Sequence, residues 1–233
     1  MTILFIADIH LSNNKPDIIN HFDFFIKRYA IHSTALYILG DLFESWIGDD
    51  YIDKISKKIA HVINILNQYN IPCYLIHGNR DFLLGDNYAN LCKIKLLPSK
   101  LTINYLTNKI LILHGDDLCT NDIGYKLFFW LTRCKFIKYL FLKLPIKIRI
   151  KLKNIIRIHS TNKSHNNFNI NNYKLLRNVN KYKPSIIIHG HLHREIIINR
   201  NNYCHIILGS WYNYGVILEI KDNNIILIKF NIY

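Results

Sequence analysis

The sequence predicts an α/β fold interrupted by a helical insertion, on three observations. Short apolar runs of strand length alternate with helical patterns up to about residue 120. Four of these runs, and a fifth farther along the chain, end in a polar block. The blocks are Asp8-Ile9-His10 after residues 3–7, Gly40-Asp41 after 35–39, Gly78-Asn79-Arg80-Asp81 after 73–76, His114-Gly115-Asp116 after 110–113, and Gly190-His191-Leu192-His193 after 185–188. Between the fourth and fifth blocks, over roughly residues 122–170, the pattern turns helical, aromatic and basic.

Residues 1–7 lack a basic leader segment and run straight into the Asp8 block, so they read as a first strand and not a signal peptide. Residues 54–68 place Ile55, Ile59, Val62, Ile63 and Leu66 on one helix face. Residues 101–105 and 110–113 read as a hairpin around Thr107-Asn108. From Asp122 onward come Tyr125, Phe128, Phe129 and Leu131, then Phe136, Leu140 and Phe141, then Ile148, Leu152, Ile155 and Ile156. These predict two or three short helices, with Pro145 suited to the first turn of the last. Residues 159–172 are polar and Asn-rich and read as a loop. Strands resume at 185–188, 196–198, 204–208, 216–220 and 225–229. No repeat and no linker divides the chain, so one domain over residues 1–233 is expected.

Composition narrows the classes. With 50% hydrophobic and 20% charged residues, the chain is not disordered, and 233 residues suffice for a substantial core. Cys73, Cys92, Cys119, Cys134 and Cys204 are scattered without a C-x-x-C pair, a pattern of free thiols in a reducing compartment. The longest apolar-rich stretch, residues 128–158, is broken by Arg133, Lys135, Lys138, Lys143 and Pro145, so it is not a spanning helix. The net charge of +14 is concentrated: residues 123–194 hold 16 Lys and Arg and no Asp or Glu, whereas the remainder holds 14 Lys and Arg against 16 Asp and Glu. Such a block can face nucleic acid, an anionic membrane or a phosphorylated substrate. A chain heavy in Ile, Asn and Lys accounts for part of the excess.

Carboxylate, imidazole and amide oxygen without thiolate suit Mn²⁺, Fe²⁺ or Zn²⁺ and argue against structural zinc. Singly, each block has an ordinary alternative: a D-x-H loop, an Asx turn at Asn79 beside Gly78, a satisfied strand-end histidine at His114. Five in order, each after a strand, point instead to one rim holding two divalent ions. Such a centre needs an anionic ligand bridging ions about 3.5–4 Å apart and a hydroxide nucleophile. Asp41, after a glycine that permits a tight turn, is the expected bridge. Asp8 and His10 fall on one face of an extended segment and are expected to share an ion. His191 and His193 share a face likewise, with Gly190 bending the chain so that His189 stays out of the site.

The order D-x-H, GD, GN, H-G, GHxH resembles the calcineurin-like metallophosphoesterases, whose core is a two-sheet αββα sandwich. Four segments are further similar to the UDP-2,3-diacylglucosamine hydrolases of lipid A biosynthesis: GDLFESWIGDD from Gly40, GNRDFLLG from Gly78, Leu118-Cys119-Thr120-Asn121-Asp122 with Tyr125, and Leu208-Gly209-Ser210-Trp211. The likeness spans almost the whole chain. Phosphatases and cyclic-nucleotide phosphodiesterases of the superfamily commonly carry His after the metal-binding Asn. Here Arg80 offers a permanent, forked cation for a diphosphate.

The resemblance implies two Mn²⁺ per chain, one held by Asp8, His10, Asp41 and His193 and the other by Asp41, Asn79, His114 and His191. Asp41, Asn79, Arg80 and His114 are the implied catalytic residues. The implied reaction is in-line attack at the α-phosphorus of UDP-2,3-diacylglucosamine, releasing UMP and 2,3-diacylglucosamine 1-phosphate, with Arg80 and the metals stabilising phosphoryl charge. Substrate contacts are implied for Asn79, Arg80, Asp122, Tyr125, Ser160, Asn162, Lys163 and His191. Ser160-Thr161-Asn162-Lys163 departs from the family's S-K-x-x-N-x-x-K spacing by several residues, and Asn169 stands where an aspartate is usual. Tyr125, Phe128, Phe129, Trp130, Phe136, Leu140 and Phe141 are expected to enclose two acyl chains. Surrounding basic residues would dock the chain peripherally on the anionic cytoplasmic face of a bacterial inner membrane, at roughly 1 kcal/mol each. A monomer without a nucleic-acid partner is expected. A metal-free scaffold has no reason to keep all seven ligands together.

Overall fold

Parallel strands bring the five separated blocks together. A computed structural model describes residues 1–119, 130, 132–161 and 170–231, with residues 156–161 described by their backbone alone. The strands are β1 (Thr2–Ile6), β2 (Ala35–Ile38), β3 (Cys73–Ile76), β4 (Ile94–Leu97), β5 (Lys100–Tyr105), β6 (Asn108–Leu113), β7 (Ile186–His189), β8 (Ile196–Asn199), β9 (Cys204–Ile207), β10 (Gly215–Lys221) and β11 (Asn224–Phe230). The helices are α1 (Pro16–Arg28), α2 (Lys54–Gln68), α3 (Asp86–Cys92), α4 (Lys135–Lys143), α5 (Ile146–Thr161) and α6 (Asn172–Tyr182).

One sheet runs β11-β10-β1-β2-β3-β4, with β1 to β4 parallel, β10 antiparallel to β1, and β11 antiparallel to β10. The other runs β5-β6-β7-β9-β8, with β6, β7 and β9 parallel between antiparallel edges. Side chains alternate between layers. In β1, Leu4 and Ile6 pack with Phe22, Phe25, Ile59 and Tyr88 of the helices. Phe5 and Ala7 instead meet Ile110, Ile112, Ile186 and Ile188 of the second sheet. Leu111, Leu113 and Ile187, on the far face of that sheet, pack with Leu175 and Val179 of α6. Helices, sheet, sheet, helix is the αββα order that the family resemblance implies. Strands apolar on both faces give the near-continuous hydrophobic runs by which they are recognised.

Local chemistry sets the helix starts. Pro16 occupies the first turn of α1, where a missing N–H costs nothing. Asp53 caps α2 by accepting from the Ser56 N–H at 2.8 Å. The expected hairpin is present, turning at Leu106-Thr107 between β5 and β6.

The loop predicted over residues 159–172 is corrected at both ends. α5 continues through Thr161, so Ser160 lies in its last turn and does not begin a polar loop. Beyond Pro145 there is no Gly or Pro to stop a run of Ile, Lys and Arg. At the other end, Ile170 bridges to Cys119, and Asn171 caps α6 by accepting from the Lys174 N–H at 3.2 Å. Asp122, Tyr125, Phe128, Phe129, Leu131, Asn162, Lys163 and Asn169 lie outside the described residues.

Candidate metal centre

β1, β2 and β3 lie side by side in one sheet and β6 and β7 in the other, and the loops leaving their C-terminal ends meet at one rim. There Asp8, His10 and His193 offer ligand atoms within 4.8 Å of one another, and so do Asp8, Asp41 and His114. His10 Nε2 and His193 Nε2 are 3.2 Å apart, a spacing that suits two nitrogens on one ion with bonds of ~2.1 Å. Asp41 reaches both groups, with Oδ2 3.9 Å from His10 Nε2 and Oδ1 3.8 Å from His114 Nε2. Asn79 Oδ1 lies 3.0 Å from His114 Nε2. The His191 ring stands 5.2 Å from that of His114. All seven predicted ligands therefore gather. Asp8, like Asp41, lies within reach of both groups.

The backbone differs from the extended segment expected at Asp8-Ile9-His10. Asp8 (φ 52), His10 (φ 55), Asp41 (φ 53), His191 (φ 70) and His193 (φ 55) are all left-handed. Each such non-glycine residue costs about 1–3 kcal/mol and persists only where surrounding structure imposes it. Backbone bonds between the loops impose it here: Asp8 N–H to Gly40 O at 3.1 Å, His10 N–H to Asp41 O at 3.0 Å, and Leu11 N–H to Leu42 O at 2.9 Å. Gly190 also permits close approach. A Cβ there would lie 2.4 Å from Asp8 Oδ2, the oxygen that accepts from the His191 N–H at 2.6 Å. His189 stays out of the site, as expected, in a buried pair with His205 at 2.8 Å between Nε2 atoms.

The donor set fits divalent cations. Asp8 Oδ1 is buried without a hydrogen-bond partner. His114 Nδ1 lies 2.8 Å from Leu39 O, to which its N–H donates. Nε2 then faces Asn79 Oδ1 as one acceptor facing another, a conflict that a cation resolves. Burial, reinforced by the Asp41 carboxylate, pushes the Asp8 carboxyl up to about 8. Burial and Asp81 hold Asp41 well above the carboxylate range. Burial and the neighbouring histidines hold His10 and His191 well below the usual imidazole value.

These shifts fix a linkage. Unfolded Asp8 ionises near 3.8 and folded Asp8 near 8, so its protonated form favours folding below 3.8 and that contribution is lost as pH rises toward 8. The histidines act oppositely, their contribution being lost as pH falls below 6.5. Metal binding requires ionised carboxylates and neutral imidazoles. His10 and His191, held well below the usual imidazole value, already meet that requirement at pH 7, and Asp8 and Asp41 are the carboxyls that must give up protons. Calorimetric Mn²⁺ titration in two buffers of different ionisation enthalpy is expected to show about one to two protons released per chain, and tighter binding at pH 8 than at pH 6. No proton release would refute this electrostatic account.

The calcineurin-like phosphoesterase family matches residues 1–195. The chain is a calcineurin-like phosphoesterase. It is 42% identical over 236 residues to UDP-2,3-diacylglucosamine hydrolase of Wigglesworthia glossinidia brevipalpis, covering 99% of this chain and 95% of the relative. The hydrolase of that name from Histophilus somni (strain 129Pt) is 41% identical, covering 94% of this chain and 96% of the relative. Among solved structures, an archaeal phosphodiesterase superposes with a TM-score of 0.52 at 12% identity, covering 99% of this chain and 100% of that one. A Vps29 mutant from Entamoeba histolytica gives 0.50 at 12%, covering 100% of each chain. At such identity these two likenesses concern the fold alone.

The phosphoesterase centre also contains residues that ligand-type reasoning passes over. Buried Asp81 accepts from the Leu42 N–H at 2.8 Å and the Gly78 N–H at 2.7 Å, joining the loops after β2 and β3. Glu44 lies 3.6 Å from His10 Nδ1 and 3.7 Å from Arg80 Nη1, where it can orient a ligand histidine. Tyr212 stacks on His10 at 5.5 Å between ring centroids, with Lys15 Nζ 3.9 Å from its own centroid. Tyr212 leaves the end of β9, a third parallel strand of the second sheet. The signal was a sixth strand followed by Gly209-Ser210-Trp211, a block without ligand-type residues.

Proposed function

We propose that this phosphoesterase hydrolyses the diphosphate bond of UDP-2,3-diacylglucosamine at the α-phosphorus, giving UMP and 2,3-diacylglucosamine 1-phosphate in lipid A biosynthesis. The observation that carries this is 40–42% identity to hydrolases of that name across 94–99% of the chain. Asp8, His10, Asp41 and His193 would hold one Mn²⁺, and Asp41, Asn79, His114 and His191 a second. Such ions supply Lewis-acid polarisation of phosphoryl oxygens and a nucleophile at neutral pH.

The chain's own groups position the rest. The Arg80 N–H donates to Asp41 Oδ1 at 2.8 Å, and its guanidinium, 3.7 Å from Glu44, would present a cationic fork to the diphosphate. Glu44 stands at the edge of the His10 ring, 3.6 Å from Nδ1, and Tyr212 stacks on its face. The leaving group is itself a phosphate monoester, so strong general-acid help is not required and no acid is assigned. Asp122, Tyr125, Ser160, Asn162, Lys163 and His191 are proposed substrate contacts.

Trp130, Phe136, Tyr139 and Leu140 are exposed beside exposed Lys135, Lys143 and Lys147. Aromatics among cations suit acyl chains at an anionic surface. Among the described residues no helix is long and apolar enough to cross a membrane. Peripheral attachment to the cytoplasmic face of a bacterial inner membrane, as a monomer without nucleic acid, completes the proposal. The test is UMP release from UDP-2,3-diacylglucosamine by purified protein, with Mn²⁺ and with chelator. Release that needs Mn²⁺ is expected. Chelator-resistant release, or none with Mn²⁺, would sink the reading.

A further inference from the structure

The insertion is attached in an unusual way. Between residues 133 and 155, the one fully buried side chain among the described residues is Arg149, 1% exposed. α4 buries none of its residues, and Phe141 packs only partly against the main core. With no fully buried apolar side chain among the described side chains of these two helices, directed polar contacts take a large share in placing them.

Arg149 supplies such contacts. Nη1 donates to Ile47 O at 2.6 Å and to Asp50 Oδ1 at 2.8 Å, while Nη2 donates to Asp50 Oδ2. Both acceptors lie in the loop after β2 that carries Asp41. Gly48 stands between them at φ +131, and a Cβ there would lie 2.5 Å from Arg149 Nη1, so the loop is shaped around the guanidinium. Two more cations reach neighbouring loops. Arg133 Nη2 donates to Asp116 Oδ2 at 2.7 Å after β6, and Lys138 Nζ donates to Phe82 O at 2.7 Å after β3. The three loops touched are those that carry Asp41, Asn79 and His114. A bidentate guanidinium–carboxylate pair fixes orientation as well as distance.

We infer that Arg149 is a positioning residue: its clasp on Ile47 and Asp50 aligns the helical insertion with the metal-bearing loops, and binding of the lipid part of the substrate depends on it. This rests on the proposed reading of the insertion as the acyl-chain enclosure. Arg149 touches no reacting atom.

The test uses the full chain with Arg149→Met, Arg149→Lys and, as an independent way to displace the guanidinium, Gly48→Ala. Amide exchange across residues 135–155 is expected to quicken about tenfold or more in Arg149→Met and Gly48→Ala, with β1 to β3 unchanged. KM for UDP-2,3-diacylglucosamine should rise about tenfold, with kcat and Mn²⁺ affinity changed by less than about threefold. Arg149→Lys keeps the charge but loses the fork, so it should recover only part of the protection and of KM. Unchanged exchange in both Arg149 variants overturns the inference. So does a fall in kcat or Mn²⁺ affinity that matches the rise in KM, since the arginine would then be supporting the metal loops. If the wild-type chain does not act on this lipid, the substrate assignment falls, while exchange still decides whether the clasp holds the insertion.

Discussion

Replacing Asp41 by Ala is expected to lower UMP release by at least about 10³-fold while leaving the metal-free protein folded. Asp41 is 2% exposed, and its two oxygens face the imidazoles of His10 and His114. Burial and the nearby Asp81 make its ionised form unfavourable in the absence of a cation. Removing it therefore relieves a buried carboxyl, at the expense of the acceptor for the Arg80 N–H. An unpaired buried donor costs about 1–3 kcal/mol, so the two effects partly offset and the metal-free melting temperature should move little. The gain in stability on adding Mn²⁺ should disappear, about 2.7 kcal/mol if the ion stands at a hundred times its Kd. Thermal unfolding with and without Mn²⁺, run beside the activity assay, separates these effects. Substantial residual hydrolysis together with an intact Mn²⁺-induced shift would exclude Asp41 as the ligand common to two ions.

The parts of this site that were legible in the sequence share one physical cause. Parallel strands buried on both faces must be apolar along their length, and polar residues can appear only where the chain leaves the sheet. The abrupt change from Ile38-Leu39 to Gly40-Asp41, or from Leu113 to His114, therefore marks both a strand end and the rim. What stayed hidden depends on contacts between loops. The left-handed backbone at Asp8 and His10 is imposed by hydrogen bonds from the β2 loop, which their own residue types do not announce. Glu44 acts on His10 and Asp81 on Leu42 across loops, so their spacing in the chain carries no trace of those roles. α3 is only seven residues long, too short for a helical period to emerge, and β4 is a four-residue edge strand. α1 is different: Ile18, Phe22, Phe25 and Ile26 repeat at helical spacing behind Pro16, a signal that was available. Charge was legible as a sum and not as a destination. Arg133, Lys138 and Arg149 belong to the acid-free block yet turn inward onto the metal loops, so fewer cations face outward than the count implies.

Arg80→Ala is expected to reduce kcat/KM by about 10²–10³-fold, the effect of losing one preorganised stabiliser of transition-state charge. Metal binding should survive it. The Arg80 side chain is 19% exposed and lies 3.7 Å from Glu44, at the edge of the ligand cluster. After burial and the nearest histidines, its charge is among the influences that keep His10 and His191 neutral. The field that repels a proton from those rings also repels a divalent cation, so Mn²⁺ affinity should hold or increase when the guanidinium is removed. The backbone N–H of residue 80 retains its bond to Asp41 Oδ1 whatever side chain it carries. Activity and metal affinity should therefore part in Arg80→Ala, whereas they fall together in Asp41→Ala. Arg80→Lys restores a cation without the planar fork, and recovery of only a fraction of kcat/KM is expected. Mn²⁺ titration followed by electron paramagnetic resonance, alongside initial rates, distinguishes the outcomes. If affinity and rate fall in proportion in Arg80→Ala, the guanidinium serves the metal loops and the diphosphate is held by something else.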